Sequence, residues 1–575
     1  MQKLLFYLII SGFITSCGSP SVKQQDKSTA ADARAIGCSP QTTDKAWYTA
    51  GIRAPLLTGL EGIDFKISTG SKEMQTYFNQ GMMLSYGFNH AEAARSFFEA
   101  IRLDSSCAMA YWGFAYVLGP NYNAGMEEDN YQRAYQAVQK AMSLAANCTP
   151  KEKALINALS VRYTPQPPAD RSALDIAYAH SMKKVYETFT GDADISALYA
   201  ESLMDLHPWD LYDKKTKEPK PWTPEIVAVL EKLIKQYPKH PAAPHFYIHA
   251  VEASAKPERG LAAADRLMTL VPGSGHLLHM PSHIYIWTGD YHQGSLANLN
   301  AVKTDSAYLV SCHAQGAYPL AYYPHNYHYL SATATLEGNS KLAWEAAKKV
   351  QEKTAKDIMV QPGWGTLQHY YTVPYFVAVK FAMWDSLLAI KPLDNALIYP
   401  RAILHYAKGM AFLGKNNMAK AEDECARLKE LAKDSTLTKL TIWDINSMSD
   451  IVQIAVHVLA AEIYRNKKAF PKAFDEYNKA VAIEDNLNYN EPPDWFFSVR
   501  HQLGLALIQA GNYEEAEKVY LQDLKTWKEN GWALIGLYEA LSKQGKTPAA
   551  QMVKSRFDKA WQYADFDINT IVRMR

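Results

Sequence analysis

The chemistry-bearing residues of this chain gather in one stretch. Of its 17 histidines, ten lie between His240 and His328, far above even scatter. His245 and His249 are four apart. His276, His279 and His283 are three and four apart, and His325 and His328 are three apart. Such spacings set each group on one face of one helix. Imidazole is a common ligand of Zn, Cu, Fe and Ni, and two histidines at i, i+4 let one helix give two ligands to one ion. Glu252 follows His249 by three and adds a carboxylate to that face, as in helical di-metal sites. The candidate metal ligands are therefore His245, His249, Glu252, His279, His283, His325 and His328, with Zn, Cu, Fe or Mn as candidate ions. Glu201 and Asp205, four apart on a preceding helix, are further oxygen donors. A buried histidine can equally serve only as a hydrogen-bond partner of the backbone, so spacing alone leaves both roles open. No His-Glu-x-x-His occurs, which removes the zincin reading. Phosphate-loop, dinucleotide and nucleophile-elbow glycine motifs are also missing from the sequence.

These side chains need helices to hold them. Apolar residues recur at i, i+3, i+4 and i+7 through most of 73–563, and strand-like alternation is scarce. A small residue is followed twelve positions on by Ala in four places: Gly81 and Ala93, Gly409 and Ala421, Ala461 and Ala473, Gly504 and Ala516. Large residues follow the Ala by four (Phe97, Tyr477, Tyr520), and turn residues such as Gly511-Asn512-Tyr513 lie between. This is the tetratricopeptide repeat (TPR) pattern of two antiparallel helices in about 34 residues. Small residues stand where helices cross closely, and the aromatics fill the groove between units. The fold class is all-α, a TPR-like helical-hairpin solenoid of roughly ten to twelve repeats wound as a right-handed superhelix with a concave inner face. Residues 257–272, 290–304 and 339–355 read as second helices of three units. The three histidine groups then fall on three consecutive first helices, which line the concave face, and six imidazoles aim at one small volume. Polar insertions at 119–129, 207–223 and 356–371, rich in Pro, Gly and aromatics, are placed to line that face. Asn89, Asn121 and Asn123 read as caps and turn residues.

Lys+Arg number 60 against Asp+Glu 59, which argues against a nucleic-acid partner. Hydrophobic residues at 48% and charged residues at 21% are the composition of a folded protein rather than a disordered one. Residues 1–17 read as a secretory signal ending in Ile14-Thr15-Ser16-Cys17. That ending resembles the bacterial lipobox, so Cys17 is the expected lipidation site and a lipid anchor the expected membrane attachment. Gly18 after it resembles outer-membrane sorting signals, which puts the body in the periplasm or at the cell surface. Residues 18–60 read as a flexible tether and irregular leader, 61–433 as an N-terminal TPR-like array with the histidine-rich site, and 434–575 as plainer C-terminal repeats. Six cysteines without a Cys-x-x-Cys exclude zinc-ribbon and thioredoxin readings. Cys107 and Cys148 are either a disulfide or two buried thiols.

Several segments carry a family resemblance. Phe78-Asn79-Gln80-Gly81, Gly87 to Ala93, Cys107 to Gly113 and His279-Met280-Pro281-Ser282-His283-Ile284-Tyr285 resemble a family of exported bacterial TPR proteins. Pro324-His325-Asn326-Tyr327-His328 is similar to the His-Asn-Tyr-Trp-His segment of the eukaryotic tetratricopeptide repeat protein 38 type, without its Trp. The resemblance implies the fold and a marked histidine site, not a reaction. Three functions follow as alternatives. TPR arrays are mostly interaction scaffolds, so one is a lipid-anchored envelope module holding a protein or peptide in its groove. Another is a metal-dependent enzyme or metal-binding protein using the histidine cluster. The last is a structural envelope protein, with neither metal nor defined ligand.

Overall fold

The computed structural model describes residues 44–568, apart from 313, 315 and 394–396. Cys17, the signal segment and the tether up to residue 43 lie outside the described residues. What is described is a succession of α-helical hairpins. The only strands among the described residues are the two-residue pair Thr441–Ile442 and Asn446–Ser447. No described helix is long and apolar enough to cross a membrane. Cys107, Cys148, Cys312 and Cys425 are free thiols.

The small-to-large spacing read from the sequence is what joins the hairpins. Helix Lys72–Tyr86 turns back into helix His90–Leu103, and helix Ala108–Val117 begins the next unit. The Phe97 ring sits between Gly81 of its own hairpin and Gly113 of the next, so close that a Cβ would lie 2.7 Å from it at Gly81 and 2.4 Å at Gly113. Near the other end, Tyr520 sits between Gly504 and Gly536 in the same way, with hypothetical Cβ distances of 2.4 and 2.2 Å. The alanines twelve after each small residue, Ala93, Ala421, Ala473 and Ala516, are all fully buried. Second helices are started by asparagine caps. The Asn89, Asn339 and Asn417 side chains accept hydrogen bonds from the backbone N–H three residues on, at 3.4, 3.1 and 3.2 Å. Such caps satisfy N–H groups that a helix start otherwise leaves unpaired.

The expected second helices appear as Leu261–Leu270, Tyr291–Cys312 and Ser340–Lys353. Two departures from ideal hairpins occur where the histidines lie. The middle first helix is divided into Gly275–His279 and Pro281–Thr288, because Pro281 has no N–H to continue the ladder. Before the third, Tyr318–Tyr322 forms a π-helical turn that runs into helix Tyr323–Leu336. Such turns re-phase a helix and recur at functional sites.

The chain also folds back on itself. Trp532 Nε1 donates to Thr335 O at 2.9 Å, and Tyr291 OH donates to Lys528 O at 2.7 Å. Trp561 packs on Gly338. C-terminal hairpins thus rest on those of 287–340. The segment between helix Phe470–Glu484 and helix Arg500–Gln509 reaches into the histidine region.

Candidate metal centre

Helix Ala242–Val251 carries His245 and His249, with Glu252 at its C-cap. His276 and His279 lie on Gly275–His279, His283 on Pro281–Thr288, and His325 and His328 on Tyr323–Leu336. Packing side by side brings six of these imidazoles together. Three groups have their possible ligand atoms within 4.8 Å of one another and could hold a metal ion: His245, His249 and His276; His279, His283 and His325; and His249, Glu252 and His283. All are buried except His325, which is half-buried.

Hydrogen bonds at the far ring nitrogens fix which nitrogen faces inward. His245 Nδ1 lies 2.6 Å from Tyr86 O, so it must carry the proton and leave Nε2 as a lone pair. His279 Nδ1 lies 2.7 Å from Asn298 Oδ1, and Asn298 Nδ2 donates to Gly294 O at 2.8 Å, which turns the amide oxygen toward the ring. His279 Nε2 is therefore also a lone pair. These two Nε2 atoms meet other imidazoles, His276 Nε2 at 3.2 Å and His283 Nε2 at 2.8 Å. Two imidazoles sharing one tetrahedral ion at Zn–N ≈ 2.0–2.1 Å hold their nitrogens roughly 3.3 Å apart. His249 Nε2, His276 Nδ1 and His325 Nδ1 have no hydrogen-bond partner. Fully buried polar atoms are nearly always paired, so such orphans call for a ligand or a water.

Carboxylates stand behind the rings. Glu252 spans two of them, with Oε1 3.0 Å from His249 Nδ1 and Oε2 2.7 Å from His283 Nδ1. Glu491 adds its Oε2 at 2.5 Å from His283 Nδ1. Glu491 is itself held by hydrogen bonds donated by Tyr329 OH, at 2.5 Å, by Tyr489 OH and by Trp287 Nε1. Burial alone drives the His283 pKa down, but Glu491 and Glu252 outweigh it and hold it up at about 10, so without an ion its Nε2 carries a proton toward His279 and must lose it to ligate. His245, His249, His276, His279 and His325 go the other way. Burial, then the charge of neighbouring histidines, holds each well below the usual imidazole value, so each is neutral and competent to ligate.

A third buried carboxylate positions the backbone. Asp305 Oδ1 accepts from Tyr318 OH at 2.7 Å, and that hydroxyl receives the His276 N–H at 3.2 Å. Asp305 Oδ2 accepts from Asn326 Nδ2 at 2.7 Å, next to His325. A Cβ at Gly275 would lie 1.8 Å from Asp305 Oδ1, so only glycine allows this approach. Asp305 thereby ties the second and third histidine helices together.

A cavity of about 120 Å³ adjoins the cluster, lined by His276, His283, His325, Tyr322, Trp209 and Trp443 among others. The 119–129 and 207–223 insertions reach it through Asn123 and Trp209, and the Tyr122 ring lies 5.2 Å from that of His249. Asn121 forms the expected turn, its side chain accepting from Asn123 N at 2.9 Å.

Comparison with known proteins adds no residue role. No family model matches the chain, and no curated protein does. Among solved structures, the human IFIT1 dimer with m7Gppp-AAAA is 13% identical with a TM-score of 0.31, covering 86% of this chain and 91% of that one. Cut9 of the APC/C hetero-tetramer Cut9–Hcn1 is 13% identical with a TM-score of 0.30, covering 87% and 79%. Yeast Tom70 is 13% identical with a TM-score of 0.26, covering 88% and 92%. This is a likeness of fold.

Not every residue singled out by spacing joins the cluster. His328 turns aside. Its ring stacks on Phe496 with centroids 5.3 Å apart and lies 5.6 Å from that of His369. Asp205 pairs with Arg162 at 2.8 Å, and Glu201 accepts from Tyr116 OH. Neither belongs to a metal-competent group among the described residues. In the other direction, His276, named for its spacing but left out of the candidate ligand set, and Asn298 and Glu491, which no spacing marked, are part of the site. Glu491 lies in a Pro-containing polar insertion, Asn488-Tyr489-Asn490-Glu491-Pro492-Pro493-Asp494, of the kind that marks the other two site loops.

Proposed function

We propose that the protein is a transition-metal protein whose ion or ion pair is held by histidines of three consecutive repeats and faces a small-molecule cavity. One observation carries this reading. Two pairs of imidazole Nε2 atoms meet at 3.2 and 2.8 Å, and in each pair one ring has its Nδ1 committed to a fixed acceptor. An N–H of one ring donating to the lone pair of the other gives the same contacts, so the weight falls equally on the buried His249 Nε2, His276 Nδ1 and His325 Nδ1, which have no hydrogen-bond partner. His245, His249 and His276 make up one ligand set, and His279, His283 and His325 the other. Glu252 and Glu491 orient His249 and His283 from behind, the role outer carboxylates commonly play. His328 stands outside both sets.

A bound Zn, Cu, Fe or Mn ion would supply Lewis acidity or redox chemistry to a ligand in the cavity. The chain contributes the shape and lining of that cavity. Tyr322 and Trp209 wall it, and His325, the most exposed of the six, opens it toward solvent. A TPR-like array also offers surfaces for protein partners, and that broader use is compatible with a metal core. The envelope address read from residues 1–17 is a separate proposal.

Elemental analysis of tag-free protein beginning after Cys17, beside a His279→Ala/His325→Ala variant, tests the metal reading. About one or two equivalents of metal in the parent, reduced in the variant, are expected. No bound metal in the parent after reloading with each ion would overturn it and leave a partner-binding scaffold.

A further inference from the structure

A second cavity, of about 190 Å³, shares no lining residue with the first. Lys380, at the end of helix Thr366–Lys380, is one of its lining residues. Lys380 Nζ lies 2.9 Å from His501 Nδ1. His501 Nε2 lies 3.0 Å from Asp523 Oδ2, which also accepts from Asn530 Nδ2 at 3.0 Å. Asp523 is held below the usual carboxylate range despite burial, by His501 first and then by its other hydrogen bonds, so it is ionised. His501 must then carry its proton on Nε2 and present a lone pair at Nδ1. The amine donates to that lone pair. Among the described residues no carboxylate forms an ion pair with Lys380. Its walls are aromatic, with Trp532 4.1 Å and Phe497 5.3 Å from Nζ.

We propose that Lys380 is a covalent capture site for a small neutral carbonyl compound of the aromatic-aldehyde class, with His501 and Asp523 as its proton relay. The arrangement is the general one of a nucleophile, a base within hydrogen-bond reach and a third group that orients the base. Burial lowers the Lys380 pKa to about 7, with Asp523 and Glu484 acting against it, so half of the amine is neutral near neutral pH. His501 faces it from helix Arg500–Gln509, Asp523 from helix Tyr513–Thr526 and Glu484 from helix Phe470–Glu484. Arg465, also at the cavity, is spent on Glu462 and Gln509, so no free cation is offered to an anionic ligand there. Trp532, Phe497, Trp495 and Phe376 suit a flat apolar ring.

The step balances without a co-reactant. The amine lone pair attacks the carbonyl carbon, forming C–N as the C=O π bond breaks to an alkoxide. His501 Nδ1 takes the nitrogen proton, with Asp523 stabilising the imidazolium. His501 returns that proton to the alkoxide to give a carbinolamine, then relays the second nitrogen proton to the hydroxyl, which leaves as water as C=N forms. Amine and aldehyde give imine and one water.

Full-length body protein is incubated with benzaldehyde and cyanoborohydride at pH 7, and labelled lysines are mapped by mass spectrometry. Lys380 should gain one benzyl group at least about tenfold faster than exposed lysines, with saturation in benzaldehyde. His501→Gln should slow the labelling, and Asp523→Asn should lower the pH of half-maximal labelling because its charge favours the ammonium, whereas looser packing would raise that pH. Labelling of Lys380 no faster than surface lysines, or without saturation, overturns the proposal. The parent protein alone decides this, so a variant that fails to fold does not blur the result.

Discussion

Glu491 Oε2 and His283 Nδ1 lie 2.5 Å apart, joining a C-terminal insertion to the histidine helices of the middle of the chain. The contact is buried on both sides, so the carboxylate acts at full strength on one ring. It fixes His283 with Nε2 facing His279, the orientation a shared ion requires. Glu491→Gln keeps the shape and removes the charge. Metal affinity, measured by chelator competition, should fall about 10–100-fold while the helical circular dichroism stays unchanged. Unaltered affinity would mean that Glu491 only packs.

Asn298 offers a test on the other ring. Its oxygen holds His279 Nδ1, and Asn298→Leu removes that acceptor without opening a large void. Loss of metal by a similar factor is expected, together with lower stability from the unpaired ring N–H, by about 1–3 kcal/mol in urea unfolding. A variant that is less stable yet keeps full metal affinity would separate His279 from the ligand set.

The junctions between hairpins predict their own sensitivity. A side chain at Gly113 meets the Phe97 ring at 2.4 Å, whereas Gly125 has nothing within 4 Å and no positive φ. Gly113→Ala should destabilise by about 1–3 kcal/mol in denaturant unfolding, and Gly125→Ala should be nearly neutral. Equal effects would show that hairpin contact at Phe97 is not tight.

These two outcomes bear on what was readable in advance. Gly81, Phe97, Gly504 and Tyr520 announce the hairpins because close crossing permits few residue types, and that restriction repeats with the period of the fold. The histidine pairs were legible for a similar reason, since helical spacing fixes a shared face. Facing direction was less so. His328 is three from His325 in sequence but turns toward Phe496 and His369, whereas His276 and His279 at the same spacing both join the cluster, so spacing does not decide which ring enters it. Glu491 carries no periodic signal at all. It enters from an irregular insertion, and only the fold-back of the C-terminal hairpins brings it to His283.

Arg162 is fully buried, with Asp205 at 2.8 Å and Asp175 at 3.4 Å. Asp205→Ala removes the closer carboxylate and leaves Asp175 as the remaining partner of the guanidinium. Loss of about 1–3 kcal/mol in chemical denaturation is expected, from the lost charge-assisted hydrogen bond. A loss under about 1 kcal/mol would place water at that ion pair.

Lys380 gives the pH dependence. Its folded pKa is lowered to about 7 from an ordinary 10.5, so between these values the unfolded chain binds more protons than the folded one. Stability must then rise with pH across that window, by at most about 1.4 kcal/mol per unit, and below pH 7 the penalty is constant. Lys380→Met removes the group. The stability difference between parent and variant, followed by urea unfolding from pH 6 to 10, should be level to about pH 7 and then turn in favour of the parent. Subtraction cancels the titrating groups that do not interact with Lys380. A difference that stays level to pH 10 would mean the amine remains an ammonium over Trp532, held there by cation–π attraction, and would remove the neutral nucleophile on which carbonyl capture depends.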